Sequence, residues 1–282
     1  MSHYSVAVIT DNQTSVDELL EPYDESIKVA PYIYRTKKQI IEEARESIAK
    51  LRQSMKDYAD NPDEYLKNNR AYWLKDGSEK FVNPPKLSQF AKDELSCEKM
   101  NDEEIYQKHI YEDTKYDSEG NELSTYNPNS KWDWYCEGGR WDGRLTKKDG
   151  STCNRCSISE LAFDNDPETY KKAIRFWEVV VEGKDLLPDE DKKEFTSWYN
   201  KEYYIERYGT KEIYAKAISI KNSFYAIVTP DGVWHEPGRM GWFGCSHASY
   251  EELRKWDSNF YQDFIEPYNS DEYEITIVDC HI

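Results

Sequence analysis

Two apolar segments sit at opposite ends of the sequence, and both call for burial in a sheet. Tyr4-Ser5-Val6-Ala7-Val8-Ile9 is short and β-branched and is closed by Thr10-Asp11-Asn12, while residues 273–282 are almost unbroken apolar sequence interrupted by Asp279 and His281. Runs of this length and composition read as buried strands. Helical patterns fill much of the sequence between them, so the first and last strands are expected to meet in one mostly antiparallel sheet. Helices then pack on one face, which makes the chain α+β. Antiparallel pairing of the two end strands brings His3 toward His281 at one rim of that sheet. Period-two alternation sends Asp279 and His281 to one face and Cys280 to the other.

Between these strands the period changes. Ile40, Ile41, Ala44, Ile48, Leu51 and Met55 recur at steps of three and four after Thr36, one face of an amphipathic helix. Pro62 opens another helical stretch over 62–74, and residues 75–130 are polar, aromatic and irregular. A structureless run of that length is uncommon inside a compact domain. The expected organisation is therefore a single domain over 1–282 with a variable helical and irregular insertion at about 36–126. Asp166-Pro167 caps and opens a helix carrying Tyr170, Ala173, Ile174, Trp177 and Val181. A further helix is expected after Pro188, carrying Phe195, Trp198 and Tyr199 and ending near Gly209. Residues 215–220 and 224–229 read as strands that turn at Lys221-Asn222, and Pro230-Asp231-Gly232 makes a tight turn into Val233-Trp234. Ser249-x-x-Glu252 is a capping box ahead of Leu253, Trp256, Phe260 and Phe264.

Two loops carry residues suited to a ligand. The first, 127–143, combines Trp132, Trp134 and Trp141 with Gly138, Gly139, Gly143 and Arg140; Arg144 follows. The second, 230–244, repeats the theme with Gly238, Arg239, Gly241 and Trp242 and adds His235. Glycine lets the backbone approach a ligand closely, the arginine fork suits phosphate or carboxylate, and indole faces suit a base. From Lys131 to Arg155 six basic residues stand against four acidic ones, a local excess of +2 in a chain of net charge −18. The loops are expected to form opposite walls of one pocket. The other reading is a small core, with the tryptophans packed under tight turns and Arg140 and Arg239 in internal ion pairs.

An Asp–His pair such as Asp279 and His281 orients an imidazole for acid–base work, and it also serves as a structural cap of a sheet edge. His281 and Asp279 are the candidates for acid–base catalysis, with His3 or His235 assisting. His3-Tyr4-Ser5 resembles half of the paired His-x-Ser/Thr signature of two-histidine phosphoesterases, a pattern too short to carry an assignment. The six cysteines are scattered, and Cys153-x-x-Cys156 lacks the companion pair that a zinc site needs. No phosphate-binding loop, dinucleotide fingerprint, zinc-protease helix or serine-hydrolase elbow is present, so neither a metal nor a resident cofactor is expected.

The segments 1–6, 21–25, 127–143, 230–244 and 277–281 together resemble an uncharacterised family of accessory proteins from bacteriophages of Gram-positive hosts. The resemblance implies a phage accessory protein acting in the host cytoplasm, and it brings no catalytic assignment. The acidic balance repels nucleic acid and anionic membrane, so no direct DNA binding and no membrane partner is expected. The function expected is counter-defence, through capture or cleavage of a nucleotide-derived immune signal of the host. Arg140, Arg144 and Arg239 would hold phosphates while Trp132, Trp134 and Trp242 stack the base. The alternative is an acidic protein–protein inhibitor or nucleic-acid mimic of a host defence enzyme, its contact made by the helices at 37–60 and 62–74.

Overall fold

The fold comes from a computed structural model that describes residues 2–61, 89–241 and 245–282. The helical stretch expected at 62–74, the residues that follow it to 88, and Trp242 lie outside the described residues. The chain divides into two compact units, Met1–Lys28 with Asn127–Ile282, and Val29–Tyr126.

The first unit is built on β1 (His3–Thr10) and β11 (Glu274–His281). They pair antiparallel over their whole length, from His3 opposite His281 to Thr10 opposite Glu274. On the far side of β1 lies β9 (Ala226–Val228), parallel to it, and then β10 (Trp234–His235), antiparallel to β9. β11 divides its other edge between β5 (Trp134–Glu137) and β8 (Arg155–Ser157), both antiparallel. A small hairpin of β6 (Leu145–Thr146) and β7 (Thr152–Cys153) precedes β8.

Both faces of this sheet are covered. Ala7, Ile9, Ile227, Ile275 and Ile277 face a core closed by Phe260 of α8 (Tyr250–Phe260) and by Leu145, Ile158 and Leu161. Tyr4, Val6, Val8, Val278 and Cys280 face Trp132, Met240 and the short α1 (Val16–Leu20) with Leu19 and Leu20. Val6, Val8, Ile9, Ile275, Ile277 and Val278 are wholly buried, at 0% exposure. Each such side chain contributes about 1.5–3 kcal/mol. Alongside, α5 (Pro167–Val180), α6 (Lys201–Tyr208) and α7 (Lys211–Ser219) enclose an aromatic cluster of Trp177, Tyr204 and Tyr214. The α+β class and the pairing of the end strands agree with expectation.

In the second unit α2 (Lys37–Asp60) starts at a Thr36–Gln39 capping box. It turns Ala44 and Ile48 onto Cys97 and onto Ile105, which come after α3 (Gln89–Ser96) and within α4 (Asp102–His109). A three-stranded sheet of β2 (Tyr32–Arg35), β4 (Glu122–Ser124) and β3 (Lys115–Tyr116) completes it.

Two sequence expectations are corrected. The strand expected at 215–220 is the second half of α7: Thr210 caps Ile213, and Tyr214, Ala215 and Ser219 are the buried residues, at helical spacing. The helix expected after Pro188 is only a 3-10 turn at Lys192–Phe195, and α6 begins later, where the Asn200 side chain accepts from the Tyr203 N–H. Trp198, expected on that helix, is 100% exposed. Among the described residues no helix is long and apolar enough to cross a membrane.

Candidate functional site

The paired ends of β1 and β11 gather the histidines that the two terminal segments contribute. His3 and His281 lie opposite each other across the ladder, with ring centroids 5.0 Å apart at 71°. Each imidazole is tied down by a carboxylate on its Nδ1. His3 Nδ1 lies 3.0 Å from Asp279 Oδ1 and 3.2 Å from Oδ2, and His281 Nδ1 lies 2.5 Å from Asp133 Oδ1. A carboxylate only accepts, so both Nδ1 atoms carry the hydrogen and Nε2 bears the lone pair of the neutral ring. Neither Nε2 has a hydrogen-bond partner among the described residues, and neither is one of the buried polar atoms left unpartnered there. Each Nε2 therefore keeps some surface, little of it at His281, which is buried, and more at the half-buried His3.

Trp134 completes the ring cluster. It stands opposite His281 in the β5–β11 ladder, stacks on that imidazole at 5.5 Å and 16°, and meets His3 edge-on at 5.5 Å. Its indole is 43% exposed.

The glycine pair in the first loop explains how Asp279 is held. The Asp279 carboxylate is buried, and its Oδ2 accepts the backbone N–H of Arg140 at 3.0 Å. That approach requires Gly139, which sits at φ +54°. A β-carbon there would fall 2.5 Å from Asp279 Cβ and 2.8 Å from Cys136 Sγ. Asn154 pins the rest of the turn, accepting the Gly143 N–H at 2.7 Å and donating to Asp142 Oδ1 at 2.7 Å.

The other expected site residues divide clearly. Trp132 is buried in the core on the opposite face, and its indole N–H donates to the Leu20 carbonyl at 3.1 Å. Trp141 packs against the α8-side core, with the Arg144 guanidinium 5.2 Å over its ring. Burial pulls the Arg144 pKa below its ordinary value, and its Nη2 reaches the Ser223 carbonyl. His235 is turned inward against Phe264, with Nε2 3.1 Å from Thr229 Oγ1, and burial lowers its pKa. These four are accounted for by packing.

Arg140 and Arg239 are both exposed, and neither guanidinium meets a carboxylate among the described residues. The two loops do approach each other, through a Lys131 Nζ–Glu236 Oε1 pair at 2.7 Å, but on the Tyr4 face of the sheet. The histidines occupy the other face, and no contact joins Arg239 to them among the described residues. The basic excess of the first loop is also partly spent: Lys131, Lys147 and Arg155 pair with Glu236, Glu160 and Glu137.

Asp133 is the functional candidate that sequence reasoning passed over. Its backbone N–H donates to the His281 carbonyl at 3.0 Å, which places the carboxylate beside the ring. Only the β5–β11 register reveals that. Among the described residues no three His, Cys, Asp or Glu side chains are arranged to hold a metal. Burial, aided by a neighbouring Cys153, pushes the Cys156 thiol up to about 12. Comparison with protein-family models, with curated proteins and with solved structures finds no match to this chain.

Proposed function

We propose that this chain captures a small nucleotide-derived anion at the β1–β11 rim, and that in a phage context the anion is an immune signal of the host. The observation that carries this reading is the partly exposed Trp134, stacked on His281 and edge-on to His3, with the exposed Arg140, which meets no carboxylate among the described residues, on the adjoining turn. An indole face binds a base for ~1–3 kcal/mol, and a charge-assisted hydrogen bond to phosphate adds ~1.5–3 kcal/mol. A panel of cyclic and linear nucleotides tests it by thermal melting. A ligand at about 100 times its Kd stabilises by ~2.7 kcal/mol, or roughly 5–11 °C for a unit of this size. A panel without any shift refutes capture.

The net charge of −18 and the exposed Ile33, Tyr34 and Tyr111 of the second unit favour one other reading, an acidic surface that blocks a basic partner protein. Such binding weakens as ionic strength rises and tolerates Arg140→Ala, whereas nucleotide capture loses its ligand with that substitution.

A further inference from the structure

We infer that the rim also does chemistry: His3 and His281 act as a general base and general acid that cleave a nucleotide phosphodiester. The inference rests on the capture reading for its substrate. It is carried by a feature that capture alone does not need. Arginine, with five donors and a permanent charge, serves an anion-binding site better than histidine does. An imidazole whose Nδ1 is held by a carboxylate is offset as a cation and oriented as a proton carrier. Here two such rings lie 5.0 Å apart, each with its own carboxylate and each with Nε2 unpartnered among the described residues.

Cleavage of a phosphodiester needs one proton removed and one delivered. The neutral Nε2 of one ring takes a proton from water as the water oxygen bonds to phosphorus. The bond from phosphorus to the leaving sugar oxygen breaks, and that oxygen takes the proton from Nε2 of the other, protonated ring. A phosphomonoester and an alcohol result, and the two rings exchange protonation states, which solvent then resets. Asp279 and Asp133 are positioning residues, since each acts through its histidine. Trp134 limits the rotation of the His281 ring by stacking on it.

Among the described residues, the charged and titratable groups around the pair are Asp279 on β11, Asp133 before β5, Cys136 on β5 against the Gly139 turn, and Arg140 through its backbone. With one ring neutral and one protonated in the active form, the rate passes through a maximum with pH.

The full chain is incubated with a cyclic dinucleotide and with bis(p-nitrophenyl) phosphate, and products are separated by chromatography. Turnover is expected, with His3→Asn and His281→Asn each lowering kcat by about 10²–10⁴-fold while the circular dichroism spectrum is kept. Because His281 is buried, Asp133→Asn at the exposed edge provides a second arm. It should lower kcat more than it changes KM and displace one limb of the pH profile, with Asp133→Glu restoring part of both. If the dinucleotide raises the melting temperature yet returns intact after denaturation, cleavage is overturned and capture stands. If neither it nor any other nucleotide of the cyclic and linear panel shifts melting or reacts, both readings fall. Turnover that survives both histidine substitutions also overturns the pair.

Discussion

Replacing Gly139 by alanine should cost far more than the same change at Gly150, and the difference measures how tightly the glycine turn grips Asp279. Both glycines have left-handed backbone, at φ +54° and +86°. An L-residue pays about 1–2 kcal/mol for that conformation at either position. At Gly150 nothing lies within 4 Å of the added carbon, so the backbone term is the whole expected cost. At Gly139 the carbon would meet Asp279 Cβ at 2.5 Å and Oδ2 at 2.6 Å. Asp279 cannot withdraw, since its strand is held between β1 and β5 and its side chain is buried. Overpacking of this kind costs about 1–3 kcal/mol, and loss of the Arg140 N–H to carboxylate bond about 1.5–3 more. Gly139→Ala is therefore expected to destabilise by about 3.5–8 kcal/mol. The gap to Gly150→Ala is at least about 2 kcal/mol, or roughly 4–8 °C in Tm. Every tryptophan except Trp73 lies in the unit that carries both glycines, so a melt followed by tryptophan fluorescence reports on that unit. Equal melting temperatures for the two variants would refute the close approach, and with it the account of how Asp279 is oriented toward His3.

Three further outcomes follow from named contacts. Asn222, at φ +56°, donates to the Thr146 and Ala162 carbonyls and accepts the Thr146 N–H, all within 2.8 Å. Asn222→Ala should lose about 3–5 kcal/mol and Asn222→Gly about 1 kcal/mol less, in urea melts; an alanine variant as stable as the glycine one would contradict this. Two hydrogen bonds from Arg175 and the Leu187 N–H hold the Glu190 carboxyl down to about 2 from 4.5. Its folded value is depressed, so its contribution is complete above pH 4.5 and fades as pH falls toward 2. The Tm difference between the protein and Glu190→Gln should shrink across that window, and a constant difference would show the pair to be inert. Trp134→Ala should weaken nucleotide binding by ~1–3 kcal/mol, read as a Kd by calorimetry, while the same change at buried Trp132 should lower Tm instead.

How much of this was legible depended on whether a residue's fate was local. The end strands were readable because unbroken β-branched runs have few alternatives, and alternation then separated Asp279 and His281 from Cys280. The segment 215–220 is ambiguous in sequence because a short apolar run does not distinguish strand from helix. The choice is made by Tyr214 and Ala215 packing with Ala173 and Trp177, a contact between residues far apart in sequence. The first loop shows the same limit within three positions. Trp132 and Trp134 are equivalent in composition, yet one fills the Tyr4-side core and the other stacks on His281. Which tryptophan goes inside depends on where β5 joins β11, and nothing in the loop itself states that register. Asp133 was passed over for the same reason.

The register itself has a cause that joins fold to site. A strand slipped by one residue sends every side chain to the opposite face, and burial of one apolar face normally prevents it. Here both faces of β1 and β11 are apolar and covered, so Val, Ile and Ala alone discriminate weakly between the two settings. The polar residues make the difference. In the observed register the Asp279 carboxylate receives the His3 ring and the Arg140 N–H, and His281 receives Asp133. Slipped by one, Asp279 would enter the core of Leu20, Trp132 and Met240, where a carboxylate without partners is costly. The residues assigned to chemistry thus also select the pairing that assembles them. Substitutions at Asp279 should therefore disturb strand pairing as well as the His3 ring.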